Sequence, residues 1–115
     1  MPRVELKVTT RPAGAQVVVS VHGEIDLYTA PRLHQELSRA QAGDAPRRLI
    51  VDLSGVDFCD STGANVLLAA HRRAAATGGE LALAAPRPVV VKILNVTGLD
   101  TVFRVVDVPK YVAGS

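Results

Sequence analysis

The sequence predicts a single-domain α/β fold in which an N-terminal β-hairpin is followed by β–α repeats. We expect a mostly parallel sheet of about five strands, packed with three or four helices. Two segments of alternating apolar residues open the chain, and apolar strand-like runs then alternate with segments of helical spacing. Strands joined through helices pair in parallel by right-handed crossovers. A chain of 115 residues is the size of one domain, so residues 1–115 are expected to fold as one unit.

The composition excludes several classes of function. The chain is 48% hydrophobic but only 3% aromatic, which argues against the stacking surfaces that bind single-stranded nucleic acid. Its formal charge of +2 and its scattered arginine pairs do not form the basic stripe of a duplex-binding protein. One cysteine excludes an internal disulfide and a Cys-rich zinc site. Without a membrane-length apolar run or a signal peptide, we expect a soluble cytoplasmic protein. The sequence also contains no cluster of metal ligands, and we expect no cofactor or metal.

The opening hairpin is predicted from period-two alternation. Residues 4–10 alternate apolar and polar side chains, and residues 16–22 place three valines on one face. Residues 11–14 read RPAG and are predicted to form the turn between the two strands. The first strand is expected at an edge of the sheet, and residues 23–26 are expected to form a loop after the second.

A first helix is predicted after this loop, because Pro31 suits the first turn of a helix, where a missing N–H costs nothing. Residues 43–46 should end this helix. The side chains spaced for its buried face are Ala30, Leu33, Leu37 and Ala40.

Shorter elements are predicted in the second half of the chain. They are a buried strand at 81–84, a helix at 86–95 with Val90, Val91 and Leu94 on its apolar face, a turn at 97–99 and a last strand at 102–106. The tail from about residue 107 contains Pro109 and Gly114 and is expected to be loosely held.

The central feature is residues 49–63, which read LIVDLSGVDFCDSTG. The apolar run, continued by Phe58, predicts a buried strand, and Asp60 is the predicted N-cap of the helix that follows. At about 100° per residue, one side of this helix is apolar and packs on the core. Gly78 or Gly79 suits its left-handed C-cap. The opposite side of the helix carries Ser61, Asn65, Leu68 and Arg72.

Loops that leave the carboxyl ends of parallel strands lie together, so residues 23–26 and 57–61 should be neighbours. Asp26 and Asp60 would then flank Ser61, whose hydroxyl should be exposed at the positive end of a helix. Asp60 has a role as a cap, whereas the sequence identifies no local structural need for Asp26. Leu68 is a candidate anchor for a partner protein, since it falls on the Ser61 side of the helix.

Three interpretations of Ser61 stay open. A hydrolase nucleophile is disfavoured, because the Gly-x-Ser-x-Gly elbow is missing and His71 would lie about 15 Å along the same helix. Ser61 and Thr62 are also ordinary residues for the start of a helix. Alternatively, another protein reaches Ser61 to phosphorylate it or to dock over it, and the helix dipole would tolerate a phosphate there.

Four segments resemble the bacterial anti-sigma-factor antagonists, which are small STAS-domain proteins: HGEID at 22–26, VDFCDSTG at 56–63, GG at 78–79 and NVTGL at 95–99. The resemblance implies a partner switch. The unphosphorylated antagonist binds an anti-sigma factor, which releases its sigma factor. The anti-sigma factor is also a serine kinase that inactivates the antagonist, and a serine phosphatase restores it. By position, Ser61 is the phosphoacceptor, and the expected partner-binding residues are Asp26, Asp60, Thr62, Gly63, Asn65, Leu68 and Arg72.

The chain departs from the family pattern at one place. Family members commonly have Leu-Gly after the motif glycine, where this chain has Ala64-Asn65. This change supports an alternative, a STAS scaffold or accessory module that is never phosphorylated. A nucleotide-binding module is a third hypothesis, disfavoured because the glycine pairs lack a phosphate-cradling pattern. The sequence identifies neither the anti-sigma and sigma factors nor the oligomeric state.

Overall fold

The computed structural model describes residues 5–42 and 48–106 and confirms the predicted fold class. A five-stranded sheet has the order β1-β2-β3-β4-β5, with β1 and β2 antiparallel and all other neighbours parallel. Three helices connect the parallel strands. The elements are β1 Lys7–Ala13, β2 Gln16–Ile25, α1 Ala30–Gln41, β3 Arg48–Cys59, α2 Ser61–Ala76, β4 Glu80–Ala84, α3 Pro88–Val96 and β5 Arg104–Val106.

One hydrophobic core lies between the helices and one face of the sheet. Because the strands follow chain order and the crossovers are right-handed, all three helices are expected on the same face. Leu33 of α1, Leu67 of α2 and Leu94 of α3 indeed belong to one buried cluster, together with alternate residues of the central strands such as Val19 and Val51. Neighbouring residues of those strands face the other way, where Val18, Ile50 and Ala84 form a second, smaller cluster.

The hairpin differs from the prediction in its boundaries. Residues 11–13 belong to β1 and pair with β2, so the predicted turn at 11–14 is wrong and the chain reverses at Gly14–Ala15. Pro12 is tolerated within β1 because this strand is at the sheet edge, as expected, where a missing N–H breaks no pairing on the open side. Gly14 adopts a φ of +66° in the turn.

The expected loop at 23–26 is wrong for residues 23–25, because these residues continue β2 and pair with β3. Glycine punctuation suggested a loop, but Gly23 serves a different purpose. It has a φ of +111°, and a Cβ there would lie 2.7 Å from the Glu5 carbonyl oxygen. Gly23 therefore allows β2 to continue past an irregular pairing beside the chain that leads into β1.

The helix faces are largely as predicted. Ala30, Leu33 and Leu37 are buried on α1 and Ala40 packs partly against the core, whereas residues 43–46 lie outside the described residues. Gly78 adopts the left-handed conformation predicted for the end of α2. On α3 the predicted burial of Val91 is wrong, since Val91 is 40% exposed. Val90 and Leu94, one helical turn apart, are buried, and Val89 and Ile93 pack partly against the core.

The last strand, β5, is shorter than predicted. Val102 donates a backbone hydrogen bond to Leu99 within a turn, so β5 begins only at Arg104 instead of residue 102. The predicted tail from residue 107 lies outside the described residues. Within residues 5–42 and 48–106, no helix has the length and apolar character needed to cross a lipid bilayer.

The core and the surface of the fold can be compared with a matched pair of leucines. Leu67 of α2 is fully buried and Leu27 is 66% exposed. Leu67→Ala is expected to lower the free energy of unfolding by about 2–5 kcal/mol, because it removes apolar contacts and leaves a cavity. Leu27→Ala should change it by less than about 0.5 kcal/mol. Chemical denaturation measures both, and equal effects would contradict the burial described here.

Candidate functional site

The site lies at the carboxyl ends of the neighbouring strands β2 and β3. The word edge below refers to this end of the sheet and not to the edge strand β1. Ile25 and Cys59, the last residues of these two strands, are paired, and the Asp60 amide donates a hydrogen bond to the Ile25 carbonyl at 3.2 Å. The two turns that lead into α1 and α2 are therefore neighbours, as the sequence predicted. This arrangement brings Asp26, which precedes α1, to the same edge as Asp60, which precedes α2.

Asp60 is the N-cap of α2, which confirms the prediction. Its backbone is extended, with φ −102° and ψ −174°, and its carboxylate accepts a hydrogen bond from the Gly63 amide at 3.2 Å. The Asp60 carbonyl accepts the first helical hydrogen bond, from Ala64 at 3.1 Å. Ser61 is thereby fixed as the first residue of α2, and it is exposed. Its hydroxyl lies at the positive end of the helix dipole.

Gly63 brings the first turn of α2 close to the sheet. A Cβ on Gly63 would lie 2.5 Å from Ile25 Cγ2 and 2.7 Å from Cys59 Sγ, closer than atoms in contact can approach. Gly63 is buried on the core side of α2, in agreement with its helical spacing, although the resemblance counts it among the partner-binding residues. Its role in the site is to let the helix pack closely, which sets the position of Ser61.

Asp26 has the structural role that the sequence did not reveal. Its carboxylate accepts hydrogen bonds from the backbone amides of Tyr28 at 2.9 Å and Thr29 at 3.0 Å. The Thr29 hydroxyl donates to the Glu24 carbonyl at 2.7 Å and accepts from the Asp26 amide at 2.9 Å. Asp26 therefore organises the turn before α1, because Asp side chains stabilise turns through nearby backbone amides. It also contributes a carboxylate to the edge that carries Ser61.

The predicted exposed face of α2 is only partly present. Ser61, Asn65 and Arg72 are exposed and Thr62 is half-buried. Leu68 is half-buried and packs against the main core, so its predicted exposure is wrong. Helical spacing gives the direction in which a side chain points, but not whether another part of the chain covers that direction. As an exposed anchor for a partner, Leu68 is therefore a poor candidate.

Three exposed apolar residues near the site were missed or misassigned. Leu27 and Tyr28, in the turn that Asp26 organises, are 66% and 77% exposed. Phe58, predicted to continue the buried part of β3, is 44% exposed near the end of that strand. The exposure of Leu27 and Tyr28 could have been predicted, because both residues directly follow Asp26 in a turn. Few other apolar side chains are available to cover the residues of such a turn.

The positions of the three histidines bear on the hydrolase interpretation of Ser61. His22, His34 and His71 lie on β2, α1 and α2, and among the described residues none of them forms a hydrogen bond with Ser61. His71 instead packs edge-on against Phe103, with ring centroids 5.6 Å apart.

Cys59 is buried beneath the first turn of α2, next to Gly63. Burial, with a smaller contribution from the neighbouring Asp60 carboxylate, raises the pKa of the Cys59 thiol from 9.0 to about 12. The thiol is therefore protonated at neutral pH and packs as a small apolar group.

The N-cap can be tested by removing its acceptor oxygen. Asp60→Ala is expected to lower the free energy of unfolding by about 0.5–2 kcal/mol, because the Gly63 amide loses its partner. Asp60→Asn keeps an acceptor oxygen and is the control, with an expected loss of only a few tenths of a kcal/mol. Thermal and urea unfolding measure both variants. A loss as large for Asn as for Ala would mean that the charge, and not the hydrogen bond, is what stabilises the helix.

The state of Cys59 can be tested by its reactivity. With a pKa raised to about 12 and a buried Sγ, the thiol should react slowly with Ellman's reagent at pH 8 in the native protein. In denaturant at the same pH it should react rapidly and to completion. Rapid stoichiometric reaction of the native protein would show that Cys59 is exposed and would contradict the close packing of Gly63 against it.

Comparisons with known proteins agree with this geometry. The family model of the STAS domain matches residues 3–110. The anti-sigma-F factor antagonist RsfB of Mycobacterium tuberculosis is 32% identical over 99 residues, which are 86% of this chain and 80% of RsfB. The anti-sigma-B factor antagonist of Listeria monocytogenes is 31% identical over 90 residues, which are 78% of each chain.

A solved structure extends the agreement to three dimensions. The crystal structure of an anti-sigma factor antagonist from Mycobacterium paratuberculosis is similar with a TM-score of 0.81 at 31% identity, and the match covers 92% of this chain and 89% of that one. The matched family is one of regulators and not of enzymes. The chain therefore belongs to the STAS-domain family of anti-sigma-factor antagonists.

Proposed function

We propose that this protein is an anti-sigma-factor antagonist controlled by phosphorylation of Ser61. In the unphosphorylated state it binds an anti-sigma factor, which then releases its sigma factor. The anti-sigma factor is also the serine kinase that modifies Ser61, and a serine phosphatase reverses the modification. The observation that carries this proposal is the exposed Ser61 hydroxyl at the N-terminus of α2. The names of the relatives in Mycobacterium and Listeria support the partner class.

The local charges make phosphorylation an effective switch. A phosphate adds about −1.5 to −2 charges at pH 7. It would stand beside the Asp60 carboxylate, on the edge that also carries Asp26, in a surface that a bound partner removes from water. Burying an unpaired charge costs several kcal/mol, and each 1.4 kcal/mol changes an affinity about tenfold. A switch of about a hundredfold or more therefore needs no change of fold.

The other exposed residues of α2 extend the proposed partner surface. Asn65 lies one turn after Ser61 and Arg72 lies farther along the helix, and both are exposed. Thr62 is half-buried beside Ser61. These residues, with Asp26 and Asp60, are proposed to contact the anti-sigma factor directly. Gly63 contributes by setting the height of the helix above the sheet.

A second candidate is a STAS module that docks in a larger regulatory complex and is never phosphorylated. The observation that favours it is Asn65, an exposed amide on the Ser61 face where the family pattern commonly has glycine. Ala64, the other changed position, is buried and does not alter that face. Mass measurement of the protein after incubation with ATP and kinases separates the two candidates, because only the antagonist gains a phosphate.

The phosphoacceptor is tested with Ser61→Ala and Ser61→Asp, each incubated with ATP and the purified anti-sigma-factor kinases of the host, one kinase at a time. We expect Ser61→Ala to bind a kinase but gain no phosphate in intact-mass spectra. Ser61→Asp should bind it at least about tenfold more weakly, because it places a carboxylate in the desolvated surface. Ser54→Ala is the control, because it removes an exposed hydroxyl from β3 outside the proposed partner surface, and it should be phosphorylated like the unmodified chain.

The assignment of Ser61 is wrong if Ser61→Ala is modified to the same extent as the unmodified chain by the cognate kinase, and Thr62 would then be the next candidate. If no anti-sigma-factor kinase modifies the unmodified chain while one of them still binds it, the result favours the module that is never phosphorylated.

A further inference from the structure

The exposed residues Leu27 and Tyr28 border a groove between α1 and α2. Single exposed apolar residues are common and need no explanation. Here, however, the adjacent side chains of Leu27 and Tyr28 are 66% and 77% exposed. Both lie at the rim of the groove, which has a volume of about 900 Å³. Pro31 on α1 and Val66 and Ala69 on α2 contribute further apolar lining. Grouped exposed apolar residues mark interaction sites, and grooves between helices can receive the apolar face of a partner segment.

The groove is continuous with the Ser61 face. Thr62 and Asn65, which line it, belong to the same turns of α2 as Ser61. A protein bound over Ser61 therefore has the groove next to it, with no intervening element of the described chain. Because α1 and α2 both begin at the edge where β2 and β3 end, the groove runs away from that edge between the two helices.

The charges along the groove are unevenly distributed. No carboxylate among residues 5–42 and 48–106 lines it, whereas Arg32 and His34 lie on its α1 wall. The Arg32 guanidinium donates a hydrogen bond to the Leu6 carbonyl at 2.7 Å, which fixes its position. The carboxylates of Asp26 and Asp60 stand at the start of the two helices instead. A complementary segment is therefore apolar, with an acidic side chain toward Arg32 and none toward the Ser61 end.

We propose that this groove receives an apolar segment of the anti-sigma factor, with aliphatic side chains against Leu27 and Tyr28 and an acidic side chain paired with Arg32. This inference rests on the proposed function for the identity of the partner. Contacts in the groove then provide the affinity for the anti-sigma factor, and phosphorylation of Ser61 regulates that affinity. A phosphate on Ser61 then opposes binding through the cost of its own desolvation at the end of the groove.

The test measures the dissociation constant of the unphosphorylated protein for the kinase that modifies it, by isothermal titration calorimetry. Leu27→Ala/Tyr28→Ala should weaken binding at least about tenfold, as truncation of central apolar contacts does. The control is Val96→Ala, which removes an apolar side chain that is 73% exposed on α3 and should stay within about twofold of the unmodified chain. At saturating kinase, Leu27→Ala/Tyr28→Ala should still gain one phosphate on Ser61.

The acidic side chain is tested by reversing the charge of Arg32. Arg32→Glu should weaken binding at least about tenfold, whereas Lys92→Glu, the same charge change on the exposed face of α3, should stay within about twofold. Circular dichroism checks that Arg32→Glu is folded, because the native Arg32 also contacts Leu6. If it is not folded, the salt dependence of binding by the unmodified chain replaces this arm, and binding that does not weaken with salt overturns the acidic pairing.

The groove proposal is overturned if Leu27→Ala/Tyr28→Ala binds the kinase as tightly as the unmodified chain. It is also overturned if the protein dimerises by sedimentation and these substitutions abolish the dimer, because a second copy would then occupy the groove. Phosphorylation of Ser61→Ala in the same assays would instead refute the proposed function and would leave the measured affinities to decide the groove separately.

Discussion

The site depends on how closely α2 packs against the ends of β2 and β3. Gly63 lies where any side chain would collide with Ile25 and Cys59, and Asp60 closes the turn by accepting a hydrogen bond from Gly63 itself. These two constraints act on one residue, so the first turn of α2 has little freedom of position. Ser61 is exposed because the residues on both sides of it are fixed against the sheet.

Because of this packing, Ser61 lies outside the hydrophobic core, so its modification need not disturb the fold. The hydroxyl of Ser61 takes no part in the core, so adding a charge there changes what the surface can bind without removing any buried contact. Asp26 serves both purposes, since it shapes the turn that presents Leu27 and Tyr28 and adds negative charge to the edge. In the mechanism that we propose, a partner is held by apolar contacts along the groove and released by the charge of a phosphate on Ser61.

Much of this arrangement could be predicted from the sequence, because periodicity and capping are local properties. The hairpin, the three helices, the Asp60 cap and the exposure of Ser61 follow from residue spacing within one element. The errors arose where a distant part of the chain decides the outcome. Leu68 and Val91 were misassigned because spacing does not reveal what packs against a helix face, and residues 11–13 and 23–25 because strand pairing outweighed local turn signals. The groove was missed because it needs two helices to form.

We expect a phosphate on Ser61 to act through its charge while the fold stays unchanged. Backbone amide NMR spectra of the protein, before and after stoichiometric phosphorylation of Ser61, report on every element at once. If the phosphate acts only through its charge, shift changes are confined to the turns before α1 and α2 and to the first turns of those helices. Changes spread through β3, β4 and α3, or loss of the α2 signals, would show that the phosphate rearranges the fold and would contradict the account.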